Sequence, residues 1–454
     1  MTTVSEEIMD KLCECGHDVY IVGGAVRDLL LSKKPKDDDI VTSATPEEIE
    51  ELFQNERSVK KVGKSFSVIM VDGVDVATYR HDRYSGLSDK KVEVSFADSI
   101  QEDLGRRDLT INSMAFCQYT GEIIDLFDGR KDLKDKVIRF SGDPEKRIFE
   151  DPNRILRACR FKAVIEGTFA PETKNALIKF AHYIRDYVAP ERIRVEILKS
   201  MGAKKPSIFF EALHEIGALK FVFPSLNACF AHPHGSFHKE DIFEHNMICG
   251  DNVSPRCALT RLSAFLHDVG KPITAETSTE GELHFLDHEK VGAKVLADEL
   301  RNLSFFKAEI KVICELVELH MRSFATPKAT RRFLKRADEL EVSYRSFLRL
   351  RLADRKANTS RKCFAVSEVR EILKSIENAR HVNVPTKIAG LPINGNDVVR
   401  VLDVKPGPIV GQILRHFLQM VTDDPQVNKR SVLLELLKTV SLKEFPNAKK
   451  RTTD

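Results

Sequence analysis

The sequence predicts an α+β chain, a mixed α/β head followed by an all-helical remainder, and three observations predict it. Up to about Asp135, short β-branched runs alternate with helical stretches. From Asp151 onward strand signals nearly vanish, and apolar residues recur at helical spacing. The 454 residues, 42% hydrophobic and 31% charged, exceed what one core organises, so three or four packed units are expected.

Taken in order, residues 18–22, 40–42, 67–71, 74–79, 92–96 and 123–126 are the predicted strands, rich in β-branched or aromatic residues. Asp72, beside Gly73, is a turn residue. Helical periodicity covers 153–165, 170–184 and 189–201. Gly202, Pro206, the stretch 231–236 and the polar stretch 358–361 mark joints, and no fixed-period repeat points to a solenoid. Residues 1–16 carry Glu6, Glu7 and Asp10 and lack the basic flank of a signal peptide; no apolar run spans a bilayer. A cytoplasmic protein without membrane association is expected. The nine cysteines are scattered without CxxC spacing, which predicts free thiols, with Cys13 and Cys15 buried or half-buried. A net charge of +3 neither demands nor excludes nucleic acid, so local basic stretches such as 154–162 carry that question.

Val19-Tyr-Ile-Val22 runs into Gly23-Gly24-Ala-Val-Arg27-Asp28, a strand, a glycine turn and a helix start. Such a turn lets backbone N–H groups approach a phosphate, with Arg27 in reach of its oxygens; a plain tight turn explains the glycines equally. In Asp37-Asp38-Asp39-Ile40-Val41-Thr42 the alternation of an extended chain sends Asp37 and Asp39 to one face. Two adjacent carboxylates repel unless a cation lies between them, and hard oxygen donors suit Mg²⁺; a solvated acidic loop is the alternative. Asp75 stands between valines on a neighbouring strand, where a shared metal would compensate its charge. Arg106 and Arg107 offer forked donors to a triphosphate, and Asp108 an acceptor to a ribose hydroxyl, unless the three form an ion-paired surface turn.

Together with Glu150-Asp151-Pro-Asn-Arg154-Ile-Leu-Arg157-Ala-Cys-Arg160-Phe, these motifs occur in an order that resembles the class II CCA-adding enzymes and bacterial poly(A) polymerases. The resemblance implies a polymerase-β-like nucleotidyltransferase head, Mg²⁺ on Asp37 and Asp39, and Asp75 as the third catalytic acid. It implies nucleotide contacts from Gly23, Gly24, Arg27, Arg106, Arg107, Asp108, Asp151, Arg154, Arg157 and Arg160. It also implies a head at 1–135, a helical neck that selects the base at 136–202, a helical body at 203–235, an HD domain at 236–360 and a tRNA-binding region at 361–454.

Asp151 and Arg154 are three apart and would share a helix face. Cytosine and adenine each present an amino donor beside an unprotonated ring nitrogen. A carboxylate and a guanidinium would match that edge and mismatch uracil or guanine, where each unpaired polar group costs roughly 1–3 kcal/mol. Arg157 and Arg160 extend a positive edge towards the triphosphate. Glu191-Arg192-Ile-Arg-Val-Glu196 resembles the family's supporting motif and is expected to be structural. The family often carries Arg-His-Pro between the head strands, where this chain has Gly86-Leu-Ser-Asp-Lys-Lys91.

His245, the pair His267-Asp268 followed by Val-Gly270-Lys271, then His288, His320 and Asp354 form a second set. Imidazoles and carboxylates suit a mid-series divalent ion, whereas a lone histidine is more often a satisfied core side chain. Their order resembles the HD-domain phosphohydrolases, which implies a transition metal or Mg²⁺ at these residues. The leading expectation is a tRNA nucleotidyltransferase that uses CTP and ATP. A poly(A) polymerase, or an HD phosphohydrolase with a non-catalytic head, stand as alternatives. Oligomeric state is not encoded in any motif.

Overall fold

The protein is described from a computed structural model that covers residues 3–34, 39–62, 68–84, 92–234, 239–322, 324, 326–358, 360, 366–382, 384–385, 387–442 and 445. Two compact units emerge, one of residues 1–228 with 298–306, the other of 229–297 with 307–454.

The first unit begins with α1 (Val4–Glu14), β1 (Val19–Val22), α2 (Gly24–Leu30), β2 (Ile40–Thr42), α3 (Pro46–Phe53), β3 (Val59–Val62), β4 (Val68–Val71) and β5 (Val74–Thr78). It continues through β6 (Arg80–Tyr84), β7 (Val92–Phe96), α4 (Ile100–Gly105), β8 (Met114–Phe116), β9 (Ile123–Asp125) and α5 (Gly129–Asp135). Seven strands form one sheet in the order β3-β4-β5-β2-β1-β8-β9, and β6 pairs with β7 apart from it. The strands β2 and β5 run parallel with Ile40 beside Val76, while β1 is antiparallel to both β2 and β8. Alternation along β2 sends Ile40 to a core with Ile8, Met9, Ile49 and Phe53, and Val41 to an opposite core with Tyr79, Ile100 and Leu104.

Helices then take over: α6 (Pro144–Glu150), α7 (Arg154–Ile165), α8 (Pro171–Phe180), α9 (Tyr183–Tyr187), α10 (Pro190–Ser200), α11 (Ser207–Glu215), α12 (Leu219–Val222) and α13 (Pro224–Asn227). The apolar face of α7, with Ile155, Leu156, Ala158 and Cys159 fully buried, packs against α10 and α11. The arginines of the same helix lie along the edge of that packing, where Arg160 meets Glu196 of α10.

Several expectations need correction. The span 170–184 is two helices, because the chain turns at Ala181 and His182 between α8 and α9. Strands recur after Asp151: Thr168–Phe169 pairs with Val137–Ile138, and Ala275–Thr277 forms a hairpin with Leu283–Phe285. Each is two or three residues long, too short for periodicity to register. Cys13 and Cys15 are exposed, since α1 buries Ile8, Met9 and Leu12 on its other side. Asp72 adopts left-handed φ 49° beside Gly73 at φ 89°, as a tight turn requires. Asp75 lies on β5 between Val74 and Val76 and is exposed.

In the second unit Ile242–Asp251, Ala258–Leu266, Lys307–Leu319 and Tyr344–Ala357 surround a core that includes Cys249, Ala264, Leu316 and Phe347. A separate core of Ile393, Val398, Ile413, Phe417 and Leu433 organises the C-terminal helices. No described helix is long and apolar enough to cross a membrane.

Candidate active site and metal centre

A cavity of about 1170 Å³ opens in the first unit, lined by Gly23, Gly24, Arg27, Asp39, Arg106, Arg107, Asp108, Asp151, Arg154, Arg157, Arg160 and Arg192, among others. Gly23 ends β1 at φ +67°, and a Cβ there would lie 3.2 Å from Arg107 Nη1 and 3.6 Å from Asp39 Oδ2. A side chain at this turn would therefore be strained and would fill the space between a cation and a carboxylate. Asp39 precedes β2, and extending the Ile40–Val76 register by one residue sets it beside Asp75. Neighbours in parallel register share a sheet face, which sets Asp75 on the face of Asp39; of the two, Asp39 lines the cavity. Carboxylate oxygens are hard donors of the kind that suit a divalent cation. Asp37 and the 86–91 loop lie outside the described residues.

The cavity's arginines are individually partnered. Arg27 donates to Asn112 Oδ1 at 2.8 Å and to Asp28 Oδ1 at 2.8 and 3.1 Å. Arg106 and Arg107 both fork onto Asp103, fully buried at the end of α4, at 2.7–3.2 Å. Burial opposes ionisation of Asp103, but the two guanidinium charges hold its carboxyl below the usual range. Asp108 accepts from Leu109 N at 2.8 Å and from Arg157. There too burial works against the charge, and the pairing with Arg157 overcomes it, holding the carboxyl down to about 2. Arg160 pairs with Glu196, and the guanidinium carbons of Arg27, Arg157 and Arg160 stand 5.1, 5.6 and 4.1 Å from the centre of one ring, Phe161.

Asp151 and Arg154 do not share a helix face. Asp151 caps the C-terminus of α6, and α7 begins only at Arg154, so the motif is a turn between two helices. Pro152 ends the preceding helix at that point. Arg192 of α10 forks onto both Asp151 oxygens at 3.0 and 2.7 Å. Arg154, only 5% exposed, donates to Glu150 at 2.6 Å and to the carbonyls of Arg147 and Arg106. Asp103, Phe161, Arg192 and Glu196 were not singled out as site residues. The Glu191–Glu196 motif was visible as a supporting element, and its support consists of these ion pairs.

The second unit gathers His245, His267, Asp268, His288, His320 and Asp354, as expected, and adds His234. His267 and Asp268 follow the last residue of the helix Ala258–Leu266. Nε2 of His288 lies 3.3 Å and Nε2 of His320 3.5 Å from Asp268 Oδ1; His245 Nε2 is 3.2 Å from Asp354 Oδ1. The Nδ1 atoms of His267, His288 and His320 lie 2.9, 2.8 and 2.6 Å from the carbonyls of Ala264, Phe285 and Val317. Each Nδ1 must carry a proton to make that bond, so each neutral ring turns an Nε2 lone pair inward.

The Nε2 atoms of His288 and His320 face each other at 3.3 Å, and the buried His267 Nε2 and Asp268 Oδ1 complete no well-formed hydrogen bond. Lone pairs and carboxylates converging in a buried space need a cation, and imidazole–carboxylate donors with carbonyl-anchored rings fit a divalent metal. The same demand for positive charge shows at His245. Burial opposes its protonation, yet hydrogen bonds to Asp354 and Glu240 push it up to about 9. Lys271 donates to Asp268 Oδ2 at 2.7 Å and touches His234. His234 lay in a stretch expected to be only a joint, and its burial among metal-ligand types has no local sequence signal.

Three family models match this chain in order: the poly A polymerase head domain over 19–139, a probable RNA and SrmB-binding site of polymerase A over 168–230, and the HD domain over 247–343. Together they define a polymerase-type head followed by a helical RNA-site module and an HD module. The CCA-adding enzyme of Ligilactobacillus salivarius is 29% identical over 434 residues, 94% of each chain. Poly(A) polymerase I of Escherichia coli O157:H7 is 37% identical over 238 residues, 49% of this chain, which thus spans about half (50%) of that relative's length. The fold is shared with the Bacillus stearothermophilus CCA-adding enzyme in complex with CTP, at a TM-score of 0.65 and 23% identity over 95% of both chains. The chain thus carries a poly A polymerase head domain, and over 94% of its length it is similar to a CCA-adding enzyme.

Proposed function

We propose that the chain is a template-independent tRNA nucleotidyltransferase that adds CMP and AMP, from CTP and ATP, to the tRNA 3′ end. The observation that carries this is the single cavity in which the Gly23-Gly24 turn, Asp39, the paired arginines and the Asp151–Arg154 turn all meet. Asp37, Asp39 and Asp75 would hold Mg²⁺; the chemistry it supplies when bound is activation of the RNA hydroxyl and stabilisation of the leaving pyrophosphate. The backbone amide of Gly24, at the turn that Gly23 makes, and the guanidinium groups of Arg27, Arg107, Arg157 and Arg160 receive the triphosphate. Arg106 holds Asp103 and lends its carbonyl to Arg154. Asp108 meets the ribose. Asp151, oriented by Arg192, accepts from the base amino group, and Arg154 donates to the ring nitrogen.

The head at 1–135, neck at 136–202, body at 203–235, HD region at 236–360 and tRNA-binding region at 361–454 divide the labour. The HD centre, with His245, His267, Asp268, His288, His320 and Asp354 as ligands to a transition metal or Mg²⁺, supports a second, phosphohydrolase activity. End-to-end likeness to a CCA-adding enzyme favours tRNA over poly(A) synthesis. Purified protein with CTP, ATP, Mg²⁺ and tRNA lacking its CCA should extend the RNA and stop at three nucleotides. A ladder of adenylates would instead mark a poly(A) polymerase, and no extension overturns the proposal.

A further inference from the structure

The helices α8, α9 and α12 carry an aromatic patch that is absent from the lining of the catalytic cavity. The ring of Tyr183 packs on Phe180 at 5.0 Å, on His182 at 4.8 Å and on Tyr187 at 4.8 Å, the last two nearly edge-on at 78° and 75°. Beneath these rings Leu177 and Ile184 are fully buried and supply the packing of α8 and α9. Phe180 and Tyr183 are half-buried, and the outer two rings are surplus to the core: His182 is exposed, and Tyr187 keeps 43% of its surface. An edge-to-face cluster holds its outermost ring rigid while leaving it open, which is how a stacking platform is pre-organised.

Cations border the same surface. Lys179 lies 5.1 Å from the ring of Phe180, and Arg185 and Lys220 lie 5.2 and 5.1 Å from the ring of Phe221. The acidic partners of Lys179 and Arg185, Glu145 and Asp186, form solvent-exposed pairs of the weak kind that phosphate can displace. Open rings interleaved with displaceable cations match the chemistry of an unpaired RNA strand, which presents base faces alternating with phosphates. An apolar protein face would be served by the rings but gains nothing from this cationic border. The helices α8, α9 and α12 also fall within the 168–230 match to a probable RNA and SrmB-binding site of polymerase A.

We infer that this patch, centred on Tyr187, stacks unpaired bases of the RNA substrate at a point separate from the catalytic cavity, and so sets RNA affinity rather than chemistry. The inference rests on RNA being the substrate, as proposed above. The test is equilibrium binding of the full chain to tRNA lacking its CCA, with Mg²⁺ and no nucleotide. Y187A should raise Kd about tenfold, the effect of one lost base stack, while Y187W stays near wild type. In extension assays KM for the RNA should rise with kcat at saturating RNA and KM for CTP held. Because Tyr187 is exposed, Y187A should melt like wild type, which separates lost binding from lost folding. Unchanged RNA affinity in Y187A, or a loss that Y187W fails to rescue, overturns the inference. Wild-type protein that binds the RNA but never extends it defeats the transferase proposal instead, so the two failures are distinguishable.

Discussion

The two sites satisfy their charges in opposite ways. In the head cavity Arg27, Arg106, Arg107, Arg157, Arg160 and Arg192 each rest on a carboxylate of the chain itself. In the HD centre anionic and lone-pair donors converge from several elements, with Lys271 against Asp268 as internal compensation. The first site is poised to exchange internal anions for an incoming polyanion. The second is a socket for a cation. A phosphate loop and a metal centre are thus told apart by which sign of charge the fold leaves to be supplied.

Exchanging the lesions gives the sharpest break of this comparison. D39A should lower nucleotide transfer about 100- to 1,000-fold while leaving the metal content of the HD centre unchanged. D268A should reduce that metal content, measured by elemental analysis, with metal affinity down about 10- to 100-fold or more, and leave CMP addition intact. Loss of transfer in both variants would mean the sites do not act separately.

A smaller effect probes the internal pairing. The folded carboxyl of Asp108 sits at about 2 against an ordinary 3.8, so its ionised form stabilises the fold above the ordinary value, and that contribution fades as pH falls through about 2. D108N should therefore lose about 2 kcal/mol of stability in urea titrations at pH 7. The gap from wild type should narrow steadily from about pH 4 towards pH 2; a gap independent of pH would show that packing, not the Arg157 pair, is what matters. The smallest effect concerns base choice. R192A frees Asp151 to rotate and should relax discrimination of CTP over UTP by about tenfold, with a smaller change in kcat for CTP. Unaltered discrimination would make Arg192 a scaffold residue alone.

How much of this was legible differs between the sites for a physical reason. The glycine turn, the Asp39 strand and the His267-Asp268 pair announce themselves because each is a local pattern tied to a local backbone shape. Arg192 gripping Asp151 and Glu196 gripping Arg160 are long-range ion pairs that no short window of sequence contains; Asp103 is only three and four residues from its two arginines, and what the window does not show is that it is buried. The Asp151–Arg154 spacing was read as a helix face because three-residue spacing is what a helix offers; Pro152 turned it into a break between helices. The strand Val59–Val62 escaped notice because two of its four residues are lysines, which mark an edge strand rather than a buried one.

At Gly270 an added Cβ would lie 2.0 Å from the carbonyl oxygen of His288 and 2.7 Å from the amide nitrogen of Gly292. The backbone that follows His267 and Asp268 therefore touches the backbone that bears His288, with a single hydrogen atom as the spacer. Replacing it by a methyl group would pry two donors apart while altering neither, so the bite of the metal centre is gauged by an atom that is no ligand at all.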